Sequence, residues 1–208
     1  MHRLFKTRSI VLNKKPWGEN ALLFSILTED FGKIKVVAAG ARKIKSKLSG
    51  HLQTLGTVEL VFAFGKNFKK LIHACLIEKF EITDEFDFYC YSIILELLDK
   101  ALPENEKNQR AFRLAVFSLD KILREKDIET KRFWLNFFII KLMVYCGFAL
   151  KGPNNAPTAQ AVRKIVNADY RDFQIRKSEN RQLFFSLRQQ VEFCLEQEIK
   201  SLAGLVGE

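Results

Sequence analysis

Cysteine is scarce in this chain and badly placed for metal or redox chemistry. Cys75, Cys90, Cys146 and Cys194 stand far apart, mostly inside apolar runs, and no C-x-x-C pair occurs. That excludes a zinc ribbon and a redox dithiol, and a disulfide framework is not expected at this size without an export signal. Histidine is scarcer still: His2, His51 and His73 have no carboxylate or cysteine at strand or helical spacing, so no acid–base or nucleophilic constellation forms. No glycine-rich loop leads into a Lys-Ser/Thr pair, and no nucleotide-driven motor is expected. Glu29 and Asp30 are neighbours, but beside Gly32 they read as a solvated turn and not as a metal site. Met1-His2-Arg3 shows no secretory signal. The longest apolar stretch, near Trp134–Leu150, is interrupted by Asn136 and Lys141, which suits a soluble helix better than a bilayer. These absences lead to the expectation of a non-enzymatic protein of the reducing cytoplasm, with no cofactor, no metal and no membrane contact.

Acidic residues are the other shortage, and it is local. Residues 1–80 hold 15 Lys and Arg against 5 Asp and Glu, whereas the other 128 residues hold 19 of each, so the first part carries the whole net charge of +10. A positive surface confined to one region attracts a polyanion, most commonly nucleic acid. With 48% apolar residues and 19 Phe, the chain has ample material for packed cores and does not read as disordered.

Two textures meet near residue 82. Before it, short β-rich runs alternate with turn signals: Ser9–Asn13, a turn at Lys14–Asn20 with Pro16 and Gly18, Ala21–Thr28, the hairpin tetrad Glu29-Asp30-Phe31-Gly32, and Lys33–Ala39. A basic segment, Gly40–Gln53, is followed by Thr57–Phe64, the turn Gly65–Lys69 and Lys70–Glu81. Five short strands with a long excursion after the third fit an OB-type barrel, and spacing alone also allows an SH3-like one. After residue 82 helical periods dominate: Phe88–Leu102 stopped by Pro103, Arg110–Arg124, Glu129–Phe148, a short helix from an N-cap at Thr158 to about Asn167, and a last helix from about Glu179 to Leu202. The expected class is α+β, with a five-stranded OB-fold β-barrel over residues 1–81 that binds nucleic acid and an all-α domain over residues 82–208 that binds partners.

The strongest chemical signal is Arg42, Lys43, Lys45 and Lys47, four cations within six residues. Their mutual repulsion is relieved by an anion, and a loop of this kind neutralises several phosphates through counterion release. The bland alternative is a solvated loop without a partner. His51 reads as one more phosphate contact, and Lys14, Lys15 and Lys35, with Lys66, Lys69 and Lys70, extend the patch if the turns converge. Trp17, Phe31 and Phe68 fall in expected turns, where aromatic faces beside cations can stack bases; the competing role for each is to plug a barrel end. Phe24, Phe62 and Phe64 lie in strands, so core packing is favoured for at least two of them. In the helical half, Lys131, Arg132 and Phe133 open the most apolar helix and suit an acidic peptide tip ending in an apolar residue, or else a charged first turn on a buried helix.

Several ordered motifs resemble the RecO family of bacterial recombination mediators. Ser9-Ile10-Val11-Leu12 followed by Pro16-Trp17-Gly18-Glu19 is similar to the family's opening strand and turn, and Leu27-Thr28-Glu29-Asp30-Phe31-Gly32-Lys33 to its hairpin. Gly40-Ala41-Arg42, Ser46, Leu48, Gly50 and Leu52-Gln53 keep the family's spacing, and Arg132-Phe133 with Gly147-Phe148 resemble its central helix and the pair closing it. The resemblance implies binding of single- and double-stranded DNA without sequence preference and annealing of complementary strands. It further implies contact with the acidic C-terminal tail of single-stranded DNA-binding protein (SSB), and joint action with RecR, and often RecF, to load RecA. On that footing Arg42, Lys43, Lys45 and Lys47 meet phosphate, Arg132 meets the tail, and the chain works as a nucleoid-associated cytoplasmic monomer. Many members insert a cysteine zinc module after the Gly-aromatic pair; here Ala149-Leu150-Lys151-Gly152-Pro153-Asn154-Asn155 has no cysteine, so zinc is not carried over. Two rival readings remain open: a basic interaction protein docking on an acidic partner, and an OB-fold RNA binder.

Overall fold

The computed structural model describes residues 3–42, 52, 55–65, 68–150, 156–167 and 180–203. The chain divides into two compact units, one formed by residues to Glu81 together with Leu102–Arg113, the other by Ile82–Ala101 with the remainder from Leu114.

In the first unit five strands, β1 Leu4–Trp17, β2 Ala21–Thr28, β3 Gly32–Ala38, β4 Gly56–Phe64 and β5 Lys69–Lys79, close a barrel in the order β1-β2-β3-β5-β4. All neighbours are antiparallel except for a two-residue parallel closure of Val36–Val37 with Lys69–Lys70. This is the OB arrangement, and the SH3-like alternative falls. Alternation along the strands explains the core: Phe24, Ile26, Ile34, Val36, Val58, Leu60 and Phe62 are fully buried on the inward face. Phe31 and Phe5 close over them, with ring centroids 5.3 and 5.6 Å from Phe62. A fully buried phenylalanine of this kind contributes about 3–5 kcal/mol when compared with alanine.

The first strand corrects the sequence reading. Lys14, Lys15, Pro16 and Trp17, expected in a turn, pair in register with Phe24, Leu23, Leu22 and Ala21, and a bulge between Val11 and Asn13 bends the strand to permit it. The turn shrinks to Gly18–Asn20, where Gly18 has φ 64°. Pro16, which lacks an N–H, lies one pair from the end of this ladder, where a donor is least needed. The β2–β3 turn forms as expected. Thr28 Oγ1 donates to the Gly32 carbonyl (2.8 Å) and accepts from the Phe31 N–H (3.0 Å). Gly32 has φ 69°, and a Cβ there would sit 1.7 Å from the carbonyl oxygen of Glu106, so the position is closed to side chains on two grounds.

The helical elements are α1 Glu85–Ala101, α2 Gln109–Arg124, α3 Ile128–Tyr145, α4 Ala156–Asn167, α5 Asn180–Leu195 and α6 Lys200–Ala203. α3 is apolar on nearly every face, burying Leu135, Phe137, Phe138, Ile139, Ile140, Leu142 and Met143, and packs against α1, α4 and α5. Asp127 caps it by accepting from the Thr130 N–H at 3.0 Å. Its end is a Schellman turn: Gly147 at φ 85° donates to Val144, and Phe148 donates to Met143. Three expectations shift. α3 stops at Tyr145 instead of Phe148; α4 begins two residues before Thr158; and the long last helix is broken at Glu196, φ 51°, before α6 resumes. α6 starts there because Glu96 of α1 accepts from the N–H groups of Lys200 (3.1 Å) and Ser201 (2.8 Å). Among the described residues no helix is long and apolar enough to cross a membrane.

Candidate nucleic-acid interface

Trp17 at the end of β1 and Phe68 just before β5 come together, with ring centroids 5.0 Å apart and planes at 70°. Both remain substantially open to solvent, at 37% and 46% exposure. Edge-to-face is a favoured geometry for aromatic pairs, and here it leaves apolar ring surface open to water. The two rings tie the β1–β2 turn to the β4–β5 turn. Arg42 joins the first of these turns: its backbone N–H donates to the Asn20 carbonyl (3.3 Å) and its guanidinium Nη1 to the Gly18 carbonyl (3.2 Å). The root of the basic segment is thus anchored beside Trp17. Lys14 and Lys15 are exposed on the adjoining strand. The arrangement combines aromatic faces with cations, which is what backbone-tracking, sequence-tolerant binding of a single strand requires.

A second surface in the same unit was not read from the sequence. Residues 102–113, which follow the first helix, lie on the barrel. The Asn105 N–H donates to the Lys33 carbonyl at 2.7 Å, and Gln109 donates to Glu29 at 3.4 Å. Lys35 pairs with Glu104. Between this segment and the β2–β3 turn lies a cleft of about 450 Å³ lined by Asp30, Phe31, Ile34, Phe64, Lys69, Asn105 and Lys107. Lys69 Nζ lies 2.5 Å from Asn105 Oδ1 and 5.3 Å from the centre of the Phe64 ring. Burial holds the Lys69 ammonium below the ordinary lysine range, with the Glu104 carboxylate acting in the opposite direction. The only signal available in sequence was the helix stop at Pro103, which says nothing of where the chain goes next.

The expected site residues separate clearly. Arg42, Lys14, Lys15 and Lys35 are exposed on the barrel unit, and Lys43, Lys45, Lys47 and His51 lie outside the described residues. Of the three aromatics proposed for stacking, Trp17 and Phe68 are brought together, whereas Phe31 is half-buried with its ring against Phe5 and Phe62, so it seals the barrel. Phe24 and Phe62 are core, and Phe64 is 50% exposed.

Lys131, Arg132 and Phe133, suited by sequence either to an acidic peptide tip or to a charged first turn on a buried helix, are only 2%, 7% and 6% exposed. Lys131 Nζ sits 2.5 Å from Asp87 Oδ1 and 2.9 Å from Asp84 Oδ2. Asp87 is completely buried and accepts from the Thr83 N–H and hydroxyl, while Asp84 caps α1 by accepting from the Asp87 N–H at 2.7 Å. Burial lowers the Lys131 pKa, but the hydrogen bonds to Asp87 and Asp84 outweigh it and leave the value above the ordinary lysine range. The hydrogen bond from Lys131 in turn holds Asp84 below the usual carboxylate range. Arg132 lies over the Phe86 ring at 5.4 Å, with Nε 3.4 Å from Glu129 Oε1. The Lys131 charge is matched inside the helical unit itself. Among the described residues no group of three His, Cys, Asp or Glu side chains could hold a metal ion.

Fold and site together define an OB-barrel protein with a basic, aromatic-bearing surface and an attached helical unit. Residues 1–80 match the family model for the N-terminal part of Recombination protein O, and residues 83–156 match the model for its C-terminal part. The chain is similar to the DNA repair protein RecO of Caldicellulosiruptor bescii, with 34% identity over 72% of this chain and 61% of the relative. It is likewise similar to that of Clostridium acetobutylicum, with 33% identity over 80% and 66%, and to that of a Roseiflexus species, with 32% over 56% and 42%. The chain belongs to the RecO family. The first of these matches spans about 61% of the relative's length.

Proposed function

We propose that the chain is a recombination mediator that binds single- and double-stranded DNA without sequence preference, anneals complementary strands and helps RecA onto SSB-coated DNA. The observation that carries this reading is the exposed Trp17–Phe68 pair held beside Arg42, on the unit that bears the net positive charge. Phosphates met by Arg42, Lys14 and Lys15 supply sequence-independent affinity, and the rings supply stacking, which every base accepts. Annealing then needs no covalent step. A basic surface that holds two strands reduces their repulsion and raises their local concentration until pairing takes over. Lys43, Lys45, Lys47 and His51 belong to this phosphate-binding set by their charge and position in the sequence. The partners are DNA, the SSB tail and RecR, with RecF in addition, in a cytoplasmic setting at the nucleoid. The tail's seat is not assigned to Lys131, whose charge is already matched by Asp84 and Asp87.

The test is titration of a fluorescent single-stranded oligonucleotide at several salt concentrations, with the Arg42→Ala variant alongside. Affinity should fall with salt, and the variant should bind every sequence more weakly by a similar factor, with a log–log slope shallower by about 0.7. Binding unaffected by salt, or lost for some sequences only, would sink the proposal. Competition by RNA and by polyglutamate distinguishes DNA from the two rival ligands.

A further inference from the structure

The cleft between the β2–β3 turn and residues 102–113 has the composition of a nucleotide site. Its floor is apolar and fixed, because Phe31 is wedged against Phe5 and Phe62 and Ile34 is fully buried. Phe64 presents a half-exposed ring with the Lys69 ammonium 5.3 Å from its centre. Lys107, also exposed, brings a second cation to the rim. Asp30, whose Oδ2 accepts from Thr7 at 2.8 Å, and Asn105 add polar groups that can read the edge of a base. A volume of about 450 Å³ lies within the ~300–1,000 Å³ range of sites that enclose a small ligand.

Charge selects the occupant. Two lysines against one carboxylate leave the lining net positive, which favours an anion, while the half-exposed Phe64 ring offers a stacking face and Asp30 an acceptor for the exocyclic amino group of a base. An unpaired base can turn into such a cleft freely, whereas a paired base must first be unstacked and unpaired, at a cost of a few kcal/mol.

We propose that this cleft takes one unpaired nucleotide of a bound DNA strand, with its base on Phe64 and its phosphate at Lys69 and Lys107, and so biases the protein toward single strands. The inference rests on the DNA-binding reading above and adds a subsite to it. The full chain and its Phe64→Ala and Lys107→Ala variants are titrated with one oligonucleotide, as a single strand and as a blunt duplex, at fixed salt. Phe64→Ala should weaken single-strand binding by about tenfold and leave duplex binding within about twofold. Lys107→Ala, a change of an exposed side chain that should leave folding intact, should weaken the single strand by a few-fold and the duplex by less. Equal losses on both polymers, or unchanged single-strand binding by both variants, would overturn the subsite while leaving DNA binding in place. Absence of binding by the unaltered chain would instead overturn the reading on which the subsite rests.

Discussion

In the helical unit Lys131 is 2% exposed, with its ammonium 2.5 Å from Asp87 and 2.9 Å from Asp84. In the barrel unit Lys14, Lys15 and Arg42 reach into water around a partly exposed Trp17. All four are cations in a protein that handles charge, yet only the second group is available to a ligand. A cation becomes structural when burial and a carboxylate arrive together, because desolvation would otherwise force it to neutralise or to move. The helical residues beyond 80 have equal numbers of acids and bases, which makes such pairing possible; the first 80 do not, and their surplus must face solvent or an outside anion.

The comparison breaks most visibly at Lys131. Lys131→Ala strands the Asp87 carboxylate, which is fully buried and keeps, among the described residues, the Thr83 N–H and hydroxyl as hydrogen-bond donors to its side chain. The expected loss is about 3–5 kcal/mol of unfolding free energy, read from the urea midpoint at constant m-value. Replacing both partners, Lys131→Met with Asp87→Leu, should recover most of that loss. A single variant as stable as the parent would show that the pair does not hold α1 to α3.

The matching experiment on the barrel is Trp17→Ala. Here the expected pattern inverts: single-strand affinity falls by about 1–3 kcal/mol for the lost stacking, while stability changes little because Trp17 is 37% exposed. Anisotropy titration beside a thermal melt separates the two readouts. A melt that drops while the affinity of the folded protein holds would make Trp17 a barrel plug, the role expected for it if it does not stack.

Local signals made much of the barrel readable. Gly32 specifies the β2–β3 turn through its positive φ, and Gly147-Phe148 closes α3 as a helix stop should. Trp17 and Phe68 were recognisable as aromatics beside cations, although nothing in the spacing says that they touch. The failures share a cause. Pro16 and Gly18 flag a turn, but whether Lys14 and Lys15 belong to it depends on β2, which continues the ladder as far as Ala21. The partners of Lys131 were not legible because they lie 47 and 44 residues earlier, beyond any helical or strand period. The cleft was hidden for the same reason, since Lys107 and Asn105 reach it only because residues 102–113 fold back onto strands formed far earlier in the chain.

Lys35 stands between the two extremes and sharpens the contrast. It is a barrel cation with a carboxylate partner, Glu104, but side-chain exposures of 47% and 40% leave that pair in water. An exposed pair of this kind is worth about 0–1 kcal/mol, too little to exclude a phosphate and enough to compete with one. Glu104 also acts electrostatically on Lys69, so a single acid restrains two lysines of the barrel surface. Glu104→Gln should therefore cost almost no stability, tighten single-strand binding by no more than about fivefold, and steepen the log–log salt dependence by about 0.7 if one further phosphate is neutralised. Affinity measured across a salt series decides the matter. A steeper slope with tighter binding shows that the Glu104 carboxylate keeps a phosphate off Lys35 in the parent, and an unchanged slope shows that freeing Lys35 adds no phosphate contact.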